Sequence, residues 1–198
     1  MRIFEVEQNT PEWVQCRLGH ITGSSATDLL MKETCEGYKK LIKRIVEERI
    51  TGQSSESKWN GNKFTERGHE YEPIAIEDYE LKTFTKVHPV GFIEMNEWVG
   101  CSPDGLISID TMIQIKCPIF ATQLDYLESQ KIPGTYADQM QFEMMVSGRK
   151  YNIFYSFHPN LPAVEIKLER DEQIIKEIQN KLMIAIPQVQ QLIKKYRS

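Results

Sequence analysis

Three polar side chains between residues 104 and 116 have types and spacing that can do chemistry: Asp104, Gln114 and Lys116, within the stretch SPDGLISIDTMIQIKCP from Ser102 to Pro118. Met112 to Lys116 alternates apolar and polar residues between a turn and a proline, which predicts a β-strand. Ile113 and Ile115 then face the core, and Gln114 and Lys116 share the opposite face, roughly 7 Å apart by strand rise. Asp110 and Thr111 form the natural turn of a hairpin. A turn centred on Asp110 sets Asp104 opposite Lys116 and diagonal to Gln114, all on one face, whereas a two-residue turn breaks that parity. The spacing leaves the register open. An acid, an amide and a lysine at one end of a sheet are groups that hold a hard cation and orient water.

The elements that must position this strand can be read along the chain. Thr10-Pro11-Glu12 before Trp13, Val14 and Leu18 predicts a short helix, with Thr10 as N-cap, Pro11 at its first position and Gly19 as its end. Ser24 or Ser25 caps a second helix to about Met31. The Gly/Ser turn between the two leaves backbone N–H groups near Arg17, a place for an anion. Tyr38 to Ile50 carries Leu41, Ile42, Ile45, Val46 and Ile50 at helical spacing, with Lys39, Lys40, Lys43, Arg44 and Arg49 on the other face. Residues 51–62, around Trp59, read as a polar loop.

Phe64 to Lys82 predicts a long acidic helix that Pro73 either kinks or starts, the latter at Glu72. Of its carboxylates Glu70, Glu72, Glu77, Asp78 and Glu80, one or two are within reach of a metal held by Asp104, and the rest form a solvated face. Phe84 to Met95 with Trp98 to Cys101 suits a hairpin. Ile119 to Pro133 reads as part helix and part loop, and Tyr136 to Val146 as a helix with Met140, Met144 and Met145 for core packing. Gln139 and Glu143, four apart, point either to solvent or to the sheet end. Tyr151 to His158 and Ala163 to Leu168 read as strands, and Asp171 to Tyr196 as an amphipathic helix with Pro187 at a kink. The order implies one α/β domain, residues 1–198, with a mixed sheet flanked by helices.

Composition bounds the rest. The 198 residues are 40% hydrophobic and 26% charged with a net charge of −4, an ordinary globular balance that permits only a local basic groove. Cys16, Cys35, Cys101 and Cys117 have no CxxC pair, so the expectation is reduced, structural thiols rather than disulfides or a zinc site. No apolar run approaches the roughly 18 residues that cross a bilayer, and MRIFEVEQNT lacks a signal-peptide core, so the expected location is the cytoplasm without a membrane partner.

Pro103-Asp104, followed ten residues later by Gln114-Ile115-Lys116, resembles the metal-site pattern of the PD-(D/E)xK nuclease superfamily, with glutamine in place of the usual acid. Around it, Trp13, Arg17-Leu18-Gly19, Ile21-Thr22-Gly23-Ser24, Gly68 with Tyr71-Glu72, Cys101 to Leu106, Ile115 to Pro118, and Tyr136 with Gln139 and Gln141 appear in order. From Trp13 to about Pro159 the chain therefore resembles the lambda exonuclease and YqaJ-type phage recombination nucleases. The resemblance implies a restriction-endonuclease-like α/β core. It also implies Mg²⁺-dependent (or Mn²⁺-dependent) 5′→3′ digestion of linear duplex DNA, leaving 3′ single strands for recombination.

By that resemblance Glu72, Asp104, Gln114 and the Ile115 carbonyl hold metal, and Lys116 orients or activates the attacking water. Arg17, Ser24, Ser102 and Gln139 would hold the 5′-terminal phosphate of double-stranded DNA. A homotrimeric ring, a single-strand annealing protein as partner, and the cytoplasm of a bacterial host are further implications. Gln114 keeps the length of glutamate without its charge, which implies a catalytically impaired form, either an engineered glutamate-to-glutamine change or a natural weak relative. The competing readings are an inactive DNA-end-binding relative and another PD-(D/E)xK endonuclease; the clustered cysteines of iron–sulfur nucleases are missing.

Overall fold

The computed structural model describes residues 1–54 and 63–197, apart from the side chains at 63–66 and 69. The elements in chain order are β1 (Arg2–Phe4), α1 (Pro11–Arg17), a 3₁₀ turn (Gly23–Ser25), α2 (Ala26–Leu30), α3 (Glu36–Thr51) and α4 (Lys63–Thr83). There follow β2 (Phe92–Asn96), β3 (Val99–Cys101), β4 (Gly105–Leu106), β5 (Thr111–Lys116), α5 (Phe120–Ser129), α6 (Gly134–Ser147), β6 (Tyr151–His158), β7 (Leu161–Glu169) and α7 (Glu172–Tyr196). Apart from Thr51, which ends α3, and residues 52–54, the loop expected at 51–62 lies outside the described residues.

A four-stranded mixed sheet, ordered β4-β5-β6-β7, is parallel only between β5 and β6. That parallel step needs a crossover, which α5 and α6 supply. Both faces of the sheet are covered. Ile113, Ile115, Ile153, Tyr155 and Phe157 pack under Ala75 and Tyr79 of α4, burying the apolar stripe of β5 predicted from its alternation. On the other face Tyr126 of α5 and Tyr136 of α6 pack against Phe154. A second core joins α2, α3, α6 and α7 to a three-stranded sheet, β1-β2-β3. Met145 of α6 joins this core, and Met140 and Met144 are fully buried.

The Thr10 cap of α1 forms as expected, and Asp171 caps α7. Thr10 accepts from Trp13 N–H at 3.3 Å, and the Asp171 carboxylate accepts from Gln173 N–H at 2.8 Å. Gly19 and Gly148 take positive φ just beyond their helices, which suits a residue without Cβ.

Three local expectations are corrected. Neither Ser24 nor Ser25 caps α2 through its side chain, because their hydroxyls are used by Thr22 with Arg17, and by Arg44. Helix α4 does not begin at Glu72: it runs through Pro73, which faces an open cavity shared with Glu72 and Ile76. The hairpin register also differs. Gly105 pairs with Ile113 and Leu106 with Met112, so the turn centres on Ile109 and brings Asp104 level with Gln114 instead of Lys116. Asp110 is drawn onto the β5 side because its carboxylate accepts from the Ser108 and Thr111 hydroxyls, while its carbonyl accepts from the N–H groups of Lys150 and Tyr151. The two-residue shift keeps the parity, so Asp104 remains on the face of Gln114. Among the described residues no helix is long and apolar enough to cross a membrane.

Candidate metal and phosphate site

Strand β5 projects Gln114 and Lys116 toward α6, and the shifted hairpin seats Asp104 beside them. Asp104 Oδ2 accepts from Gln114 Nε2 at 2.5 Å and from the Ile115 N–H at 2.6 Å. A carboxylate only accepts, so the amide of Gln114 must turn its nitrogen toward Asp104 and its oxygen away. Gln114 Oε1 accepts from Gln139 Nε2 at 2.9 Å, and the same nitrogen donates to Glu143 Oε1 at 2.8 Å. Asn152 Nδ2 then donates to Glu143 Oε2 at 3.0 Å. A line of amides thus links half-buried Asp104 to buried Glu143.

Glu72, from α4, and Asp104 both line two cavities. One, of about 640 Å³, is bounded by Glu5, Glu7, Pro73 and Ile76; the other, of about 410 Å³, by Ile115, Lys116, Tyr126 and Tyr136. The Lys116 ammonium lies 5.0 Å from the centre of the Tyr136 ring, a cation–π contact that holds it on the second cavity's side. Burial, and then the charge of Asp104, push the Glu72 carboxyl up to about 7, with Lys116 opposing. Burial also raises Asp104, against the pull of Lys116 and the Ile115 N–H. Glu143 is pushed up to about 8, chiefly by burial and further by Asp104, although Gln139 and Asn152 donate to it.

Arg17, at the end of α1, joins the anion-holding candidates. Its Nη1 donates to Ser102 Oγ at 3.2 Å and its Nη2 to Ser24 Oγ at 3.4 Å. The guanidinium stacks over Trp13 at 4.3 Å, and Trp13 Nε1 donates to Ser102 Oγ at 3.0 Å. Ser102 stands two residues before Asp104, and the turn carrying Ser24 packs on Gln139 and Glu143. The nine candidate residues therefore fall in one neighbourhood, with Gln114 and Ile115 buried within it: Arg17, Ser24, Ser102 and Gln139 beside Glu72, Asp104, Gln114, Ile115 and Lys116.

The expected division between phosphate and metal groups is less clean than the spacing suggested. Both hydrogens of the Gln139 amide nitrogen are directed inward, to Gln114 and Glu143, so its donors serve the metal-side network. Sequence reasoning did not single out Trp13 as the brace of Ser102 and Arg17, nor Asn152, nor Glu143 as a buried acid. For Glu143 the signal was its four-residue spacing from Gln139 on α6. Asp78 and Glu80, other acids of α4, are spent elsewhere: Asp78 accepts from Lys82 and the Tyr155 hydroxyl, and Glu80 from Lys86 and the Val87 N–H.

A divalent cation suits Asp104 and Glu72, two carboxylates that line the same cavities, where the charge of Asp104 raises Glu72, and that make no ion pair with Lys, Arg or His among the described residues. The Ile115 residue lines the same cavity and adds a carbonyl oxygen. Gln114 is the exception, since it turns N–H toward Asp104. Accordingly, no three His, Cys, Asp or Glu side chains among the described residues converge as a ready metal cage.

The sequence matches the YqaJ-like viral recombinase domain over residues 12–150. Among solved structures, the alkaline exonuclease LHK-Exo from Laribacter hongkongensis is similar at 30% identity and a TM-score of 0.86, covering 94% of this chain and 95% of its own. The structure of LHK-Exo in complex with dAMP gives 29% identity, a TM-score of 0.87 and the same coverage. A phage related exonuclease from Haemophilus somnus 129PT, at 16% identity and a TM-score of 0.74 over 89% of this chain and 96% of its own, shares the fold. No curated protein sequence matches the chain.

Proposed function

The chain belongs to the YqaJ-like viral recombinase domain family, and we propose that it is a Mg²⁺-dependent 5′→3′ exonuclease on linear double-stranded DNA. It leaves 3′ single-stranded overhangs for phage-type recombination, and Gln114 impairs its catalysis in this form. The observation that carries this reading is that the Arg17–Ser102–Ser24 frame adjoins the Asp104–Gln114 pair: the turn bearing Ser24 packs on Gln139, which donates to Gln114, and Ser102 stands two residues before Asp104. A 5′-phosphate and the bond to be cut must lie side by side in such an enzyme, and these groups lie side by side.

The residues divide the work as follows. Arg17 offers its guanidinium fork to the terminal phosphate, with the hydroxyls of Ser24 and Ser102 beside it. Trp13 keeps that fork flat by stacking. Asp104, Glu72 and the Ile115 carbonyl hold Mg²⁺, with Mn²⁺ as a substitute of similar hardness. The cation, when bound, supplies hydroxide near neutral pH and neutralises charge on the leaving oxygen. Lys116, held over Tyr136, orients the attacking water and stabilises charge as it develops. Gln114 leaves the set one negative charge short.

Residues 1–198 act in this reading as one nuclease domain, within the cytoplasm of a bacterial host. A homotrimeric ring around DNA and a single-strand annealing partner complete it, the ring being checked by sedimentation mass.

A second reading, a catalytically silent DNA-end binder, is favoured by one contact, the Gln114 N–H aimed at Asp104. The deciding experiment digests 5′-phosphorylated linear duplex with Mg²⁺, comparing this chain with Gln114→Glu and including closed circular DNA. The expected outcome is strong digestion of linear DNA by Gln114→Glu and no cutting of the circle. Binding without cutting by both forms favours the end binder, and a cut circle favours an endonuclease.

A further inference from the structure

We propose that Glu143 supplies to the metal site the negative charge that residue 114 does not. The inference rests on the metal-dependent reading above and concerns a residue that reading does not use. Glu143 lies inside α6 at 1% exposure. Among the described residues its two oxygens accept from neutral amides alone, Gln139 Nε2 and Asn152 Nδ2. Among the described residues no Lys, Arg or His forms an ion pair with it. A buried carboxylate with neutral partners alone is costly to keep charged, and the cost falls when a cation arrives nearby.

The surroundings aim this charge at the metal site. A Cβ placed on Gly23 would stand 3.1 Å from Glu143 Cγ and 3.2 Å from Oε1, so the turn bearing Ser24 closes over the carboxylate. Asn152 of β6 holds the other oxygen. The same turn packs on Gln139, whose single nitrogen touches both Glu143 and Gln114. One amide separates Glu143 from the position where the nuclease pattern has its acid.

Charge balance points the same way. Once a bound cation has drawn the protons from Glu72 and Glu143, these two and Asp104 bring three negative charges, and Lys116 brings one positive charge. The remainder matches a divalent ion. An amide at 114 with an acid at 143 gives the same total as an acid at 114 with a neutral residue at 143, with the charge one amide further from the cation.

The test is Mn²⁺ binding to the full chain, followed calorimetrically and by the paramagnetic resonance of free Mn²⁺, in four forms: parent, Glu143→Gln, Gln114→Glu and the double variant. Glu143→Gln is expected to weaken binding about tenfold or more, as loss of a supporting charge does. The double variant, which returns the acid to 114, is expected to bind at least as tightly as the parent and more weakly than Gln114→Glu alone. Equal affinities of parent and Glu143→Gln overturn the proposal. So does a double variant equal to Gln114→Glu, and this comparison decides if Glu143→Gln alone does not fold. Binding by Gln114→Glu with none by the parent also overturns it. Absence of binding in every form removes the metal-dependent reading itself, and this inference with it.

Discussion

Gln114 and Asp104, ten residues apart in sequence, are joined by a hydrogen bond in which the amide of Gln114 donates to the carboxylate of Asp104. With glutamate at 114, two carboxylates would face one another across that distance. They would repel without a cation and attract one strongly.

Gln114→Glu is therefore expected to do two things. In EDTA it loses a donated hydrogen bond and gains a like charge, lowering stability by about 1–3 kcal/mol. With Mg²⁺ the loss is reversed, and digestion of linear duplex rises on the order of 10²–10³-fold. Melting curves with and without Mg²⁺, together with a digestion assay, check both. A Gln114→Glu chain that is equally stable in EDTA would separate residue 114 from Asp104.

Arg17→Ala should act on end recognition. Its guanidinium bridges Ser24 and Ser102, and its removal leaves the two hydroxyls without a charged donor. In the Gln114→Glu background the preference for 5′-phosphate over 5′-hydroxyl ends is expected to fall roughly tenfold, the scale of one charged hydrogen bond. Competition between the two kinds of end measures this, and an unchanged ratio would refute the role.

Lys116→Gln is expected to reduce the rate roughly 10²–10⁴-fold, while leaving the affinity for phosphorylated ends in place. The ammonium sits on the Tyr136 side of the metal carboxylates, away from the Arg17 frame. A matching loss of end affinity would instead assign Lys116 to DNA binding.

Metal-free stability should depend on pH through Glu72 and Glu143. Their ordinary value of 4.5 rises to about 7 and about 8 in the folded chain. Between 4.5 and these values the folded state holds protons that the unfolded state has released, so stability declines as pH rises across that window. Melting temperatures in EDTA are expected to fall through that range. Glu143→Gln, which cannot ionise, should flatten part of the slope.

The sequence by itself determined the shared face of Gln114 and Lys116 on β5, the cap of α1 and the burial of the α6 methionines, because strand alternation and capping are local and the side-chain period is strict. The resemblance carried by its motifs named the nine candidate positions. Only the tertiary structure decided that Asp104 meets Gln114 instead of Lys116, since turn placement depends on hydrogen bonds from Asp110 to the start of β6. It also decided that α4 passes unbroken through Pro73, and that Glu143 is a buried acid at the sheet end. A four-residue spacing on a helix specifies a shared face but not what covers it, and at Glu143 the cover comes from Gly23 and Asn152, distant parts of the chain brought together by packing.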